Sequence, residues 1–504
     1  MERRLDPDRA SRANRASGGF RAAALASVLV AALGLAGCAG SISEQPLITS
    51  NAPAKGLPPM PPVTPPNTQR SAEHVKLIGA YGGVYSNPKV ETEVAQIVGR
   101  LVEASDQPNR SFRVTILNSP AVNAFALPSG DLYVTRGLIV LANDESELAA
   151  VIAHEIAHVT ADHARQRQRQ AQAAALAKRV SNVVVDPGVR EDTRETAETS
   201  LATFSQQQEF EADEIGVKTL ARAGFDPFAA ARFLTSMARF AALPSINAAT
   251  QTKAGFLSSH PSTPARVEKA RRVARQFGAP GIGNSASNSY LRSLNGTLYG
   301  DDPREGYVRG REFAHIELGI AFEVPDGYVL KNTSAAVLAT DGEHTAIRFD
   351  AVAVPDNTSL ADYLRSGWVK GLVADSIRTD MVGGLEAAMA SALVEGWSFR
   401  IGVIRGPERV YRFIFASSKP ASAYEAAFRR TMASFRLLTP EQRAEMRPLR
   451  IRIVAVRPNE TVQTLAARMV GVDEELKVPL FEALNDLGPD RQLASGELVK
   501  IISD

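Results

Sequence analysis

His154 and His158 stand four residues apart inside an apolar run that includes Leu148, Val151, Ile152, Ile156 and Val159. A helix suits both facts. Residues four apart on a helix lie about 40° apart and one turn up, so the two imidazoles face a single point. Asp144-Glu145-Ser146-Glu147 supplies a capping-box-like start for that helix. Two imidazoles so placed suit Zn²⁺, which takes nitrogen ligands at about 2.0–2.1 Å in a tetrahedral array. Glu155 sits beside the first histidine, where its carboxylate can take a proton from an attacking water.

A third ligand has two candidate sources. His163 lies nine residues beyond His154, about 900° of rotation, on the opposite face of an unbroken helix. The metzincin pattern would need a glycine and a histidine where this chain has Ala161 and Ala164. His163 is therefore expected to be solvated or to support a ligand. The other source is Glu209-Phe210-Glu211-Ala212-Asp213. Glu209 and Asp213 share a helix face, so one carboxylate can bind zinc while the other accepts the N–H of a ligating imidazole. Glu211, about 200° from Glu209, is expected to point away.

These motifs, with Asn-Ala-Phe at 123–125 and the strand after it, resemble the HtpX-like and CaaX-prenyl-protease-type zinc metallopeptidases, the gluzincins of peptidase family M48. The resemblance covers about residues 71–272. It implies one Zn²⁺ per chain held by His154, His158 and Glu209, with Glu155 as general base and Asp213 supporting a ligand. It also implies an active-site edge strand for substrate, with Asn123 near the cleft and Asp131, Leu132, Tyr133 and Val134 forming the edge. Ser259-His260-Pro261 and the arginine that follows, Arg266, resemble the family's His-Pro segment. His260 then either stabilises the oxyanion or fills the zinc's fourth position as a switch; capping or packing is the bland reading.

The single cysteine of the 504 residues excludes an intramolecular disulfide framework and any CxxC site. Its place is informative. Six arginines and three acids precede an uncharged run over residues 22–37, which ends Leu35-Ala36-Gly37-Cys38. This resembles a bacterial lipoprotein signal peptide (1–37) with Cys38 as the lipidated N-terminus. No Asp follows Cys38, and an outer-membrane anchor facing the periplasm is expected. Losing that leader takes the net charge from +2 to −1. Neither value supports a nucleic-acid partner. Residues 38–70 carry eight prolines and read as an extended tether.

The expected architecture is multidomain. A mainly α gluzincin metallopeptidase domain with a small β edge (71–280) precedes a linker (281–305). An α+β domain of unassigned role (306–440) follows, with strands near 316–324, 346–354, 398–404 and 409–416 and helices near 360–373 and 421–435. Residues 449–504 resemble a βααβ LysM module, with Asn459-Glu460 where its consensus has Gly-Asp; peptidoglycan is the partner this implies. The expected function is endopeptidase action on unfolded or misassembled envelope and outer-membrane proteins. The alternative is a chaperone-like or peptidoglycan-binding scaffold with a plugged zinc site.

Overall fold

The computed structural model describes residues 68–169, 172, 205–243, 256–283, 287–333, 336–488 and 491–504. The expected leader, Cys38 and nearly all of the tether lie outside the described residues. Residues 68–70 open a helix, α1 (Thr68–Ala80), rather than continuing the tether. No described helix is long and apolar enough to cross a membrane.

The helix predicted from the histidine spacing is α4, Glu145–Thr160, following α2 (Pro88–Ala104) and α3 (Arg136–Leu141). Its N-cap is Asp144, whose side chain accepts from Glu147 N at 2.8 Å, while Glu147 reaches back to Asn143 N at 3.0 Å. Every residue from Glu145 to Val159 is buried, so α4 runs through the centre of the domain. Against it lie α5 (Gln206–Arg222) and α6 (Ala229–Ala241). Gly216 lets α5 approach closely, because a Cβ there would meet His154 N at 3.3 Å. Beyond α7 (Phe256–Ser259), α8 (Pro264–Ala274) begins with Thr263 as N-cap and proline at its first turn.

A three-stranded sheet covers α4, with β3 (Asp131–Thr135) between β1 (Arg113–Leu117) and β2 (Ala124–Ala126). This corrects the expected edge. Asp131, Leu132, Tyr133 and Val134 pair in parallel with β1 on one side, and residues 132–134 pair antiparallel with β2 on the other. All five β3 residues are buried; β1 and β2 are the outer strands, and β2 lies against α4.

The expected linker is also structured. Within it α9 (Ser287–Leu294) buries Tyr290, Leu291 and Leu294, and Tyr290 Oη donates to Ile139 O at 2.7 Å. Arg136, 1% exposed, donates to Leu298 O, Gly300 O and Asn118 Oδ1 at 2.8, 2.9 and 3.1 Å. A buried guanidinium needs such acceptors, and here they fasten residues 298–300 to the peptidase domain.

The segment expected as an α+β domain carries two antiparallel sheets. One has four strands in the order β14-β6-β5-β4, covering β4 (Tyr307–Arg309), β5 (Glu312–His315), β6 (Ile320–Glu323) and β14 (Arg436–Leu437). The other has seven, β10-β11-β12-β13-β9-β8-β7. Its strands are β7 (Val329–Asn332), β8 (Val337–Thr340), β9 (Thr345–Val352), β10 (Leu372–Val382), β11 (Leu385–Val394), β12 (Trp397–Arg405) and β13 (Val410–Ser417). The helices are α10 (Leu360–Arg365), shorter than expected, and α11 (Glu425–Ser434). A short α12 (Pro440–Glu445) leads out.

The final segment is βααβ, as read: β15 (Arg450–Ala455), α13 (Val462–Ala466), α14 (Glu474–Leu484) and β16 (Leu498–Ser503), with β15 and β16 antiparallel. It does not stand apart. Ile451, Leu465, Phe481 and Ile501 belong to the same hydrophobic cluster as Val94, Leu138 and Ile152 of the peptidase domain. Lys500, with no exposure, donates from Nζ to the carbonyls of Val140, Leu141 and Ala142 at 2.9, 3.1 and 3.0 Å. These are carbonyls at the C-terminus of α3, where a helix runs out of its own donors.

Candidate metal centre

The i, i+4 spacing on α4 brings His154 Nε2 and His158 Nε2 to 3.0 Å. The first turn of α5 delivers Glu209, whose Oε1 lies 3.4 Å from His158 Nε2 and whose Oε2 lies 3.5 Å from His154 Nε2. The segment before α8 delivers His260, with Nδ1 at 2.9 Å from Glu209 Oε1 and 3.3 Å from His154 Nε2. Ligand atoms from His154, His158, Glu209 and His260 all lie within 4.8 Å of one another, and all four residues are buried.

This donor set fits a zinc ion. Two ligand atoms each about 2.0–2.1 Å from a tetrahedral ion are themselves about 3.4 Å apart, and the separations above run from 2.9 to 3.5 Å. Two imidazole nitrogens facing each other at 3.0 Å in a buried site would otherwise have to share one proton. The set is nitrogen and oxygen, which suits zinc and needs no thiol.

Asp213, one turn beyond Glu209, faces the far side of His154, with Oδ1 2.9 Å from Nδ1. Burial alone would pull His154 down, but Asp213 and Glu209 outweigh it and lift the imidazole to about 9. Burial likewise acts to raise both carboxyls. Hydrogen bonds from the three histidines hold Glu209 well below the usual range, and Arg266 and His154 do the same for Asp213.

Arg266 is a functional residue that the sequence reading left without a role. It is 2% exposed and forks onto Asp213, with Nε and Nη2 each 2.7 Å from a carboxylate oxygen. Its Nη1 lies 2.7 Å from Glu209 Oε2. The Thr263-Pro264 start of α8 was the available signal, because it fixes a helix whose first turn must carry Arg266 back toward His260.

Glu155 is 2% exposed beside this cluster, with Oε1 3.7 Å from His260 Nε2 and in no hydrogen bond among the described residues. Burial raises its pKa, and the Ala126 backbone of β2 hydrogen-bonds to it. Contact between sheet and site therefore runs through Ala126. Asn123 is buried at the start of β2, its Nδ2 donating to Tyr81 Oη at 3.3 Å. Phe256 stacks on His260 with ring centroids 4.6 Å apart, and its N–H donates to Val122 O at 3.0 Å.

His163 departs from the unbroken-helix reading. α4 ends at Thr160, and Asp162 takes a left-handed φ of 56°, which turns the chain back. His163 is thereby buried against His158. Glu211 is half exposed and reaches His163, not the cluster.

Residues 88–274 match the family described as Peptidase family M48. The "Beta-barrel assembly-enhancing protease" of Escherichia coli (strain K12) is 29% identical over 235 residues, covering 43% of this chain and 45% of that protein. The "Mitochondrial metalloendopeptidase OMA1" of Schizosaccharomyces pombe is 31% identical over 182 residues, covering 35% of this chain and 50% of that protein. The chain thus spans about half the length of these two relatives. The family match falls on the helices that build the cluster, so residues 88–274 are similar to peptidase family M48, whose members are zinc-dependent metallopeptidases.

Proposed function

We propose that the protein is a zinc endopeptidase of the cell envelope, cleaving unfolded or misassembled proteins, outer-membrane proteins among them. The observation that carries this reading is the convergence of His154, His158 and Glu209 on one buried point with Glu155 beside it. A scaffold has no use for a buried carboxylate at that place.

In this reading His154 Nε2, His158 Nε2 and Glu209 would hold the ion, and Asp213 and Arg266 fix the orientation of His154 and Glu209. When bound, zinc supplies a Lewis acid that polarises the scissile carbonyl and favours deprotonation of the attacking water. Glu155 takes that proton on its carboxylate and returns it to the leaving amine; its burial-raised pKa suits both steps. Substrate lies extended along β2. Thr135 N donates to Asn123 O and Leu127 N to Asp131 O, so alternation turns the peptide groups of Ala124 and Ala126 away from β3. His260, set against His154 and Glu209, would add a further donor to the bound ion and so hold the enzyme off; this contact is also what favours the plugged-scaffold alternative. Cys38 carries the lipid that anchors the chain to the outer membrane from the periplasmic side. The βααβ segment is a LysM-like contact to peptidoglycan.

Elemental analysis together with cleavage of an unfolded protein tests the reading. Wild type and Glu155→Gln should both carry one zinc, with turnover in the variant reduced at least about a hundredfold. Zinc bound with equal, absent turnover in both decides for the scaffold, and His260→Ala should then gain nothing. Unchanged membrane release of Cys38→Ala would remove the anchor.

A further inference from the structure

We propose that His163 is a positioning residue for the metal site, accepting the Nδ1 proton of His158 and donating its own Nε2 proton to Glu211. The proposal rests on reading His158 as a ligand through Nε2. His163 Nδ1 lies 2.9 Å from His158 Nδ1, with the rings 4.9 Å apart at an interplanar angle of 72°. On its other side His163 Nε2 lies 3.4 Å from Glu211 Oε2.

The direction of each hydrogen bond follows from counting protons. A neutral imidazole has one N–H and one lone pair. His158 Nε2 faces the cluster, 3.0 Å from His154 Nε2 and 3.4 Å from Glu209 Oε1, and there it must offer its lone pair. Its proton is therefore on Nδ1. At 2.9 Å the facing Nδ1 of His163 has to accept, which places the His163 proton on Nε2, the nitrogen aimed at the Glu211 carboxylate. The chain runs one way, from His158 through His163 to Glu211.

The backbone is shaped for this contact. Asp162, at φ 56°, ends the helix and re-aims the next residue, and its N–H donates to Val159 O at 3.2 Å. The His163 carbonyl accepts from Gln208 Nε2 at 3.4 Å, fastening the turn to the residue before Glu209. The two histidines of the motif thus have unlike outer partners. His154 meets a carboxylate clamped by a buried arginine, and His158 meets a neutral ring whose own partner is 53% exposed.

Zinc affinity, measured by titrating Zn²⁺ against a chelator, separates positioning from packing. His163→Phe keeps a ring but removes the acceptor and should weaken zinc about 10–100-fold. His163→Asn, whose Oδ1 stands where Nδ1 stands, should stay within about threefold of wild type, with the zinc-free melting points of all three alike. Glu211→Leu should weaken zinc less than about tenfold, because its contact is long and half exposed, and should add nothing in the His163→Phe background. Wild-type affinity in His163→Phe, or an equal loss in His163→Asn, overturns the relay. His158→Ala is the control: if it loses zinc while His163→Phe keeps it, only the relay fails; if it keeps zinc, the ligand reading fails as well. Should His163→Phe not fold, ¹⁵N-histidine spectra of the zinc-loaded wild type decide. His158 protonated at Nδ1 and His163 at Nε2 support the relay, and His163 protonated at Nδ1 overturns it.

Discussion

Lys500→Met probes the ammonium that joins the last strand to the peptidase core. Its side chain is fully buried, and burial pulls its pKa down from 10.5 to about 7. Against this stand three hydrogen bonds to carbonyls at 2.9–3.1 Å. Methionine supplies no donor, and buried carbonyls left without one make a loss of about 2 kcal/mol the expected outcome. For a unit of this size that corresponds to a melting transition lowered by about 4–8 °C in scanning calorimetry at neutral pH. The pH dependence has a definite sign. The folded pKa lies below the unfolded one, so between pH 7 and 10.5 the unfolded chain binds the extra proton. Wild-type stability therefore gains on the variant as pH rises through that window, while below pH 7 both states are protonated and the cost stays fully present. A Met variant as stable as wild type at pH 7, or a gap that narrows toward pH 10, would refute this reasoning.

Three further outcomes follow from contacts in the structure. Arg266→Lys keeps a charge but cannot fork onto Asp213 while touching Glu209, so urea unfolding of the zinc-free protein should show a loss of about 2–4 kcal/mol. Gly137→Ala would drive a Cβ into Pro120 O and to 2.6 Å from Ala121 O, a clash with fixed backbone; a variant melting within a degree of wild type would contradict the packing. Deleting residues 449–504 strips Ile451, Leu465, Phe481 and Ile501 from a shared core, each worth roughly 1.5–3 kcal/mol. The truncated protein should be insoluble or exchange its α4 amides rapidly, and slow exchange would show the segment to be dispensable.

What could be read before the structure was chemistry of short sequence range. The i, i+4 pairs His154/His158 and Glu209/Asp213 and the acidic cap at Asp144 depend only on helix geometry, and each sits in the helix expected for it. What could not be read depends on how distant elements cross. β3 is central because β1 pairs with it in parallel across a gap that no local pattern signals. Arg266 acts only because α8 lies against α5. His163 turns inward at one residue, Asp162, where the helical periodicity stops applying. The Ala-rich β11 looks helical by composition, yet Gly383-Gly384, with φ of 57° and 80°, makes a two-residue hairpin turn that sets it against β10. That signal was available in the sequence and went unread.

The shared core has a consequence for when the enzyme comes into being. Val140 to Ala142 lead directly into α4, and their carbonyl partner is Lys500, some 360 residues downstream. A chain that has delivered its histidines and Glu209 but not its final strand lacks part of the packing beneath them. Contacts of such long sequence separation close late in folding. The metal centre is therefore expected to take its final shape only once Leu498–Ser503 has closed over the helix that carries His154 and His158.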